Sequence, residues 1–102
     1  MAQFDVCVPV GRALPGVTYL VVLQNDIFEG IRTTVAAPLR RRGTTPEIAR
    51  LTPLLSGTGE TLVLSMTEVV SLPAKALSPA VANLSADRER IIAALDMLFT
   101  GI

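Results

Sequence analysis

At 102 residues, half of them hydrophobic and few aromatic, the chain suits one domain that buries roughly two-thirds of its unfolded surface around an aliphatic core. Nine basic residues balance nine acidic ones, so no global field draws the protein to nucleic acid or to an acidic membrane. Histidine is absent, which removes the commonest general base and metal ligand, and one cysteine excludes an internal disulfide framework.

Residues 3–10 alternate strictly. Phe4, Val6, Val8 and Val10 fall on one face, with Gln3, Asp5, Cys7 and Pro9 on the other, as in a half-buried strand. Pro9 cannot donate to a ladder, so the strand is expected to fray or to lie at an edge there. Cys7 lies on the polar face, with no imidazole anywhere in the chain to activate it. Residues 11–16 form a loop by their glycine and proline punctuation, with Leu14 at its tip.

Residues 17–23 are apolar at nearly every position, the mark of a central strand buried on both faces. Gln24-Asn25-Asp26 breaks the run, and Ile27-Phe28 follow as two large apolar residues in a short acidic loop. They are read as a plug for the core, with a contact patch as the alternative. Residues 31–39 read as another strand. Arg40-Arg41-Arg42 then opens a polar loop, read as solvated and able to meet an acidic partner rather than nucleic acid.

Residues 51–55 and 60–66, joined by Ser56-Gly57-Thr58-Gly59, give the clearest hairpin. The chain stays extended over 67–77 with a bend at Pro73. Ser78 as cap and Pro79 at the first helical position suggest one helical turn over 78–83. The longest helical pattern runs from Ser85, a good N-cap, to Gly101, with Asp87 favoured by the helix dipole. Ile91, Ile92, Leu95, Leu98 and Phe99 form its apolar stripe, with Leu84 and Ile102 in line and Glu89, Asp96 and Thr100 opposite. Ile102 either tucks into the core or is presented to a partner. Met97, Ala93 and Ala86 lie off the stripe and form a small apolar patch suited to self-association, with Leu98 beside it.

Five or six strands followed by a helix predict a mainly antiparallel sheet or small barrel in one domain over residues 1–102. There is no evident signal peptide, and no apolar run approaches the ~20 residues of a membrane helix, so a soluble cytoplasmic protein is expected.

Gln3-Phe4, Gln24-x-Asp26-Ile27, Pro38-Leu39, Pro53, Leu84-Ser85 and Phe99-x-Gly101-Ile102, in this order and spacing, resemble the CcdB toxins of bacterial toxin–antitoxin modules. The resemblance implies an SH3-like β-barrel with a C-terminal helix, working as a cytoplasmic homodimer without cofactor, metal or enzymatic activity. It implies binding to the A subunit of DNA gyrase, trapping of the cleaved gyrase–DNA complex, and neutralisation by a CcdA-like antitoxin with which the toxin represses its operon. DNA would be met only through that antitoxin complex.

Carried over by position, the gyrase-facing residues are Ile27, Phe28, Asp96, Phe99, Thr100, Gly101 and Ile102; the off-stripe helix patch supplies the expected dimer seam, Ala93, Met97 and Leu98. Phe28 replaces an isoleucine of the family and Asp96 an asparagine. Thr100 replaces a tryptophan whose stacking on an arginine can be worth ~2 kcal/mol when desolvated. Two alternatives stand beside this reading. One is a non-killing or retargeted homologue that still binds antitoxin. The other is a fold-related ribonuclease toxin, for which Arg12, Arg32 and Thr33 are the candidate groups.

Overall fold

The aliphatic run at 17–23 is what the rest of the chain closes around. In the computed structural model, which describes residues 2–11, 14, 17–28 and 30–102, it becomes strand β2 (Tyr19–Val22), hydrogen-bonded on both edges. Leu20 and Val22 are buried on one face of the sheet and Val21 on the other. Alternate side chains therefore meet two separate cores, and the run has no polar face.

The remaining elements are β1 (Asp5–Cys7), β3 (Thr33–Arg41), β4 (Leu54–Leu55), β5 (Leu62–Leu64), β6 (Val70–Pro73), β7 (Ala82–Asn83) and helix α1 (Arg88–Thr100). The strands pair antiparallel throughout, in the order β4-β5-β3-β2-β1-β7, with β6 also on β3. β3 is the long strand. One edge carries β2, while the other carries β6 against Thr33–Ala36 and β5 against Leu39–Arg41. One strand serving two partners along a single edge curls the sheet, giving an SH3-like antiparallel barrel with a C-terminal helix. The larger core includes Val6, Val21, Leu39, Leu64 and Met66 with Ile91 and Ala94 of α1; the smaller holds Cys7, Leu20, Val22, Ala36, Leu72 and Leu77.

The hairpin at 51–66 forms as expected, its turn tied by Ser56 Oγ and Thr61 Oγ1 at 3.0 Å. Several local expectations are corrected. Cys7 is fully buried in the smaller core, whereas Val8 and Val10 are exposed. The reason is a change of partner: beyond β1 the chain runs along residues 76–78, with Ser78 N–H donating to Val8 O at 2.9 Å and Val10 N–H to Ala76 O at 2.8 Å. Ser78 does not cap a helical turn. Its Oγ accepts Val8 N–H at 2.8 Å, and Ala82 and Asn83 form a strand against β1.

Ser85 does not cap α1 either. Residues Ser85–Asp87 form a 3-10 turn whose first N–H is taken by Asn83 Oδ1 at 2.9 Å, and the α-helix begins at Arg88. β3 starts two residues later than expected and runs on through Arg41, so Arg40 and Arg41 belong to a strand. Each of the three arginines meets a glutamate of its own chain rather than standing free. Arg40 forks onto Glu68 at 2.8 and 2.6 Å, and Ser65 Oγ, fully buried, donates to the same carboxylate at 2.7 Å. The Arg40 bonds, then the Ser65 bond, hold the Glu68 carboxyl below its ordinary value of 4.5.

Candidate functional site

The helix stripe is buried only at its N-terminal half. Ile91 and Ala94 are sealed in the core, and Ile92, Leu95 and Leu98 are half-buried. Phe99 is 71% exposed and Ile102 80% exposed, so the end of the stripe overhangs the sheet instead of packing on it. Of the two readings of Ile102, the exposed tip is the one observed. Gly101 ends the helix in the left-handed conformation, φ 77°, and its N–H donates to Met97 O at 3.0 Å. A side chain with a Cβ resists that conformation, which is why glycine serves here.

Thr100 turns its hydroxyl inward, donating to Asp96 O at 2.6 Å, which leaves the Thr100 methyl as the apolar part of an exposed side chain. Asp96 and Ala93 are exposed, and Met97 is half-buried.

The turn after β2 is the second exposed apolar feature. Ile27 is 80% and Phe28 48% exposed in a 3-10 turn, Asp26–Phe28, so the pair is a surface feature and not a core plug. The two cores are built from aliphatic side chains that include those of β2 and β3, and neither Ile27 nor Phe28 belongs to them. Turn and helix end meet along one apolar groove of about 390 Å³, lined by Phe28, Ile31, Val35, Val69, Leu95 and Phe99, with Gln24 and Asn25 at its polar margin. Among the described residues, no charged side chain lines it. Its described lining is apolar apart from the two amide side chains, the kind of surface that buries apolar groups.

Ile31, Leu95 and Val69 join this groove without having been anticipated. Ile31 was hidden by its place in an expected strand, and the one signal for it is a bulky aliphatic residue just ahead of the polar opening of β3. A second cleft, about 420 Å³, is lined by Ile48, Arg50, Pro53, Leu54, Arg90 and Ala93 and takes in none of the tip residues.

Of the ribonuclease candidates, Arg32 and Thr33 are exposed at the start of β3, and Arg12 lies outside the described residues. Their carbonyls serve the fold, Arg32 O accepting Ala74 N–H at 2.8 Å and Thr33 O accepting Gln24 Nε2 at 3.4 Å. Among the described residues no cluster of three His, Cys, Asp or Glu side chains could hold a metal ion. Burial, then the charge of Asp5, pushes the Cys7 thiol up, so it is held as a thiol away from the groove. Among the described residues, no helix is long and apolar enough to cross a membrane.

No curated protein gives a significant match to this sequence. The family model described as CcdB protein matches residues 3–101, nearly the whole chain.

Proposed function

The chain belongs to the CcdB family, the toxins of toxin–antitoxin modules, and from that premise we propose that it acts by binding, as a homodimer, to the A subunit of DNA gyrase. The observation that carries this reading is the exposure of Phe99 and Ile102 at the helix end, with Phe99 sharing a groove with Phe28 of the exposed turn. Large apolar side chains gathered around a groove on a small domain are the pattern of a contact surface, and aromatic anchors commonly dominate such contacts. In this reading Ile27, Phe28, Asp96, Phe99, Thr100, Gly101 and Ile102 face gyrase, and the bound enzyme is trapped on cleaved DNA.

Ala93, Met97 and Leu98 form the seam between two copies. A two-fold axis brings the same patch of each copy together, which would set the helix tips side by side and double the apolar surface. A CcdA-like antitoxin neutralises the toxin, and the pair represses its own operon. The protein works in the cytoplasm, needs no cofactor and carries out no catalysis of its own.

The test is direct. Purified protein is incubated with gyrase and plasmid, and cleaved complexes are counted with and without the chain. Stabilised cleavage supports the proposal; supercoiling at the untreated rate, with gyrase from the source organism, refutes it. Sedimentation at micromolar concentration tests the dimer, and Met97→Lys should give a monomer by placing a charge in the seam.

A further inference from the structure

In the exposed turn after β2, the side chains of Gln24, Asn25 and Asp26 each bond to backbone groups of the chain, while Ile27 and Phe28 are exposed to water. Asn25 Oδ1 accepts Ile27 N–H at 3.0 Å, Gln24 Nε2 donates to Thr33 O at 3.4 Å, and Asp26 Oδ1 accepts the backbone N–H of Gln3 at 2.5 Å. The first two bonds are local and fix the shape of the turn. Of these three, the third alone reaches a distant part of the chain, across 23 residues of sequence, and it is the one that ties the 3-10 segment itself to the N-terminal segment.

What Asp26 grips is itself anchored. Gln3 Nε2 donates to Leu23 O at 3.0 Å, Gln3 O accepts Asn83 Nδ2 at 3.2 Å, and Gln3 Oε1 accepts Arg88 Nη1 at 3.4 Å. The next residue, Phe4, is buried, with φ at 68° and the Arg88 guanidinium 5.7 Å from its ring. A bulky residue is held in the left-handed region only where its surroundings over-determine it. Here Phe4 N–H donates to Val22 O at 2.7 Å and Phe4 O accepts Leu84 N–H at 2.9 Å. The N-terminal segment is thus fastened to β2, to β7 and to the first turn of α1, the helix whose far end carries Phe99.

We propose that Asp26 is a positioning residue for the contact surface: its carboxylate hooks the Ile27–Phe28 turn to the N-terminal segment, so that turn and helix end are held in one frame. The turn is a three-residue 3-10 segment, Asp26–Phe28, with no buried side chain, and local bonds alone leave such a short segment free to shift as a unit. A bond from a backbone N–H to a carboxylate is charge-assisted and the stronger kind. Pre-organising a contact surface lowers the ordering cost of binding without adding a contact. The inference rests on reading Ile27 and Phe28 as residues that touch gyrase.

The test compares Asp26→Ala with Asp26→Asn, which retains the Oδ1 acceptor. Backbone amide exchange at Gln3, Ile27 and Phe28 is followed by NMR, and binding to the gyrase A subunit by calorimetry. Asp26→Ala should speed exchange at all three amides and weaken binding about tenfold, with thermal stability little changed. Asp26→Asn should restore both to within about threefold of wild type. Unchanged exchange at Ile27 and Phe28 in Asp26→Ala overturns the proposal, as does faster exchange with undiminished binding, or an Asn variant as impaired as the Ala one. If the wild-type protein binds no gyrase, the functional reading falls, and the exchange comparison still decides whether Asp26 positions the turn.

Discussion

Deleting Ile102 alone separates a contact role for the helix tip from a packing role, because it spares the Gly101 N–H bond to Met97 O that closes the helix. A fully buried isoleucine is worth about 1.5–3 kcal/mol. With Ile102 80% exposed, about a fifth of that, about 0.3–0.6 kcal/mol, is already realised in the folded protein. The melting temperature should therefore fall by only about 1–5 °C. The remaining four-fifths, about 1.2–2.4 kcal/mol, becomes available when a partner covers the tip, so the deletion should weaken binding about eightfold to sixtyfold per tip. Calorimetry against the gyrase A subunit and a thermal melt on the same preparation read both quantities. A variant that melts more than about 10 °C lower, or that binds gyrase as tightly as wild type, refutes the reasoning.

Phe99→Ala should follow the same pattern with a larger binding loss, about 2 kcal/mol or more, and a small stability loss, checked by the same pair of measurements. Thr100→Trp should raise activity against common laboratory gyrase in a supercoiling assay, because it supplies the stacking surface the family uses; no change would mean the indole is not what limits the protein. Gly101→Ala forces a Cβ into φ 77° and should cost about 1 kcal/mol while disturbing the direction of the tip, seen as weaker binding with the dimer intact. Glu68 has a lowered folded pKa, so its contribution to stability is present above its ordinary value of 4.5 and is lost as pH falls through the lower folded value. Chemical denaturation across pH 3–7 should show that decline in the wild type and a shallower one in Glu68→Gln.

The parts of the fold legible in the sequence are those set by periodicity within one element. The central strand, the hairpin at 54–64 and the helix follow from apolar spacing and turn residues, and they are present. What failed was decided by partners far away in the chain. Ser78-Pro79 carries the local signature of a helix start, but Ala82 and Asn83 pair with Asp5 and Val6, which no local pattern announces. Cys7 looked polar-faced by alternation, yet a sheet with a core on each side buries both parities. At the site, the apolar stripe running past the last turn marked the helix end but left Ile102 open between core and surface, and its exposure decides for the surface. The outward-facing turn was legible only through the family resemblance, since composition alone favoured reading the Ile27–Phe28 dipeptide as a core plug. The polar residues around it gave no hint that their bonds would point inward.

The threonine-glycine-isoleucine tip adds no side chain to either hydrophobic cluster, and its orientation is set by one glycine torsion. If the tip makes the proposed contact, positions 100 and 102 can be rewritten to follow a drifting target with little loss of stability. A library randomised at those two codons should consist largely of folded proteins that differ in what they grip, which makes this end of the molecule a ready starting point for evolving new specificities.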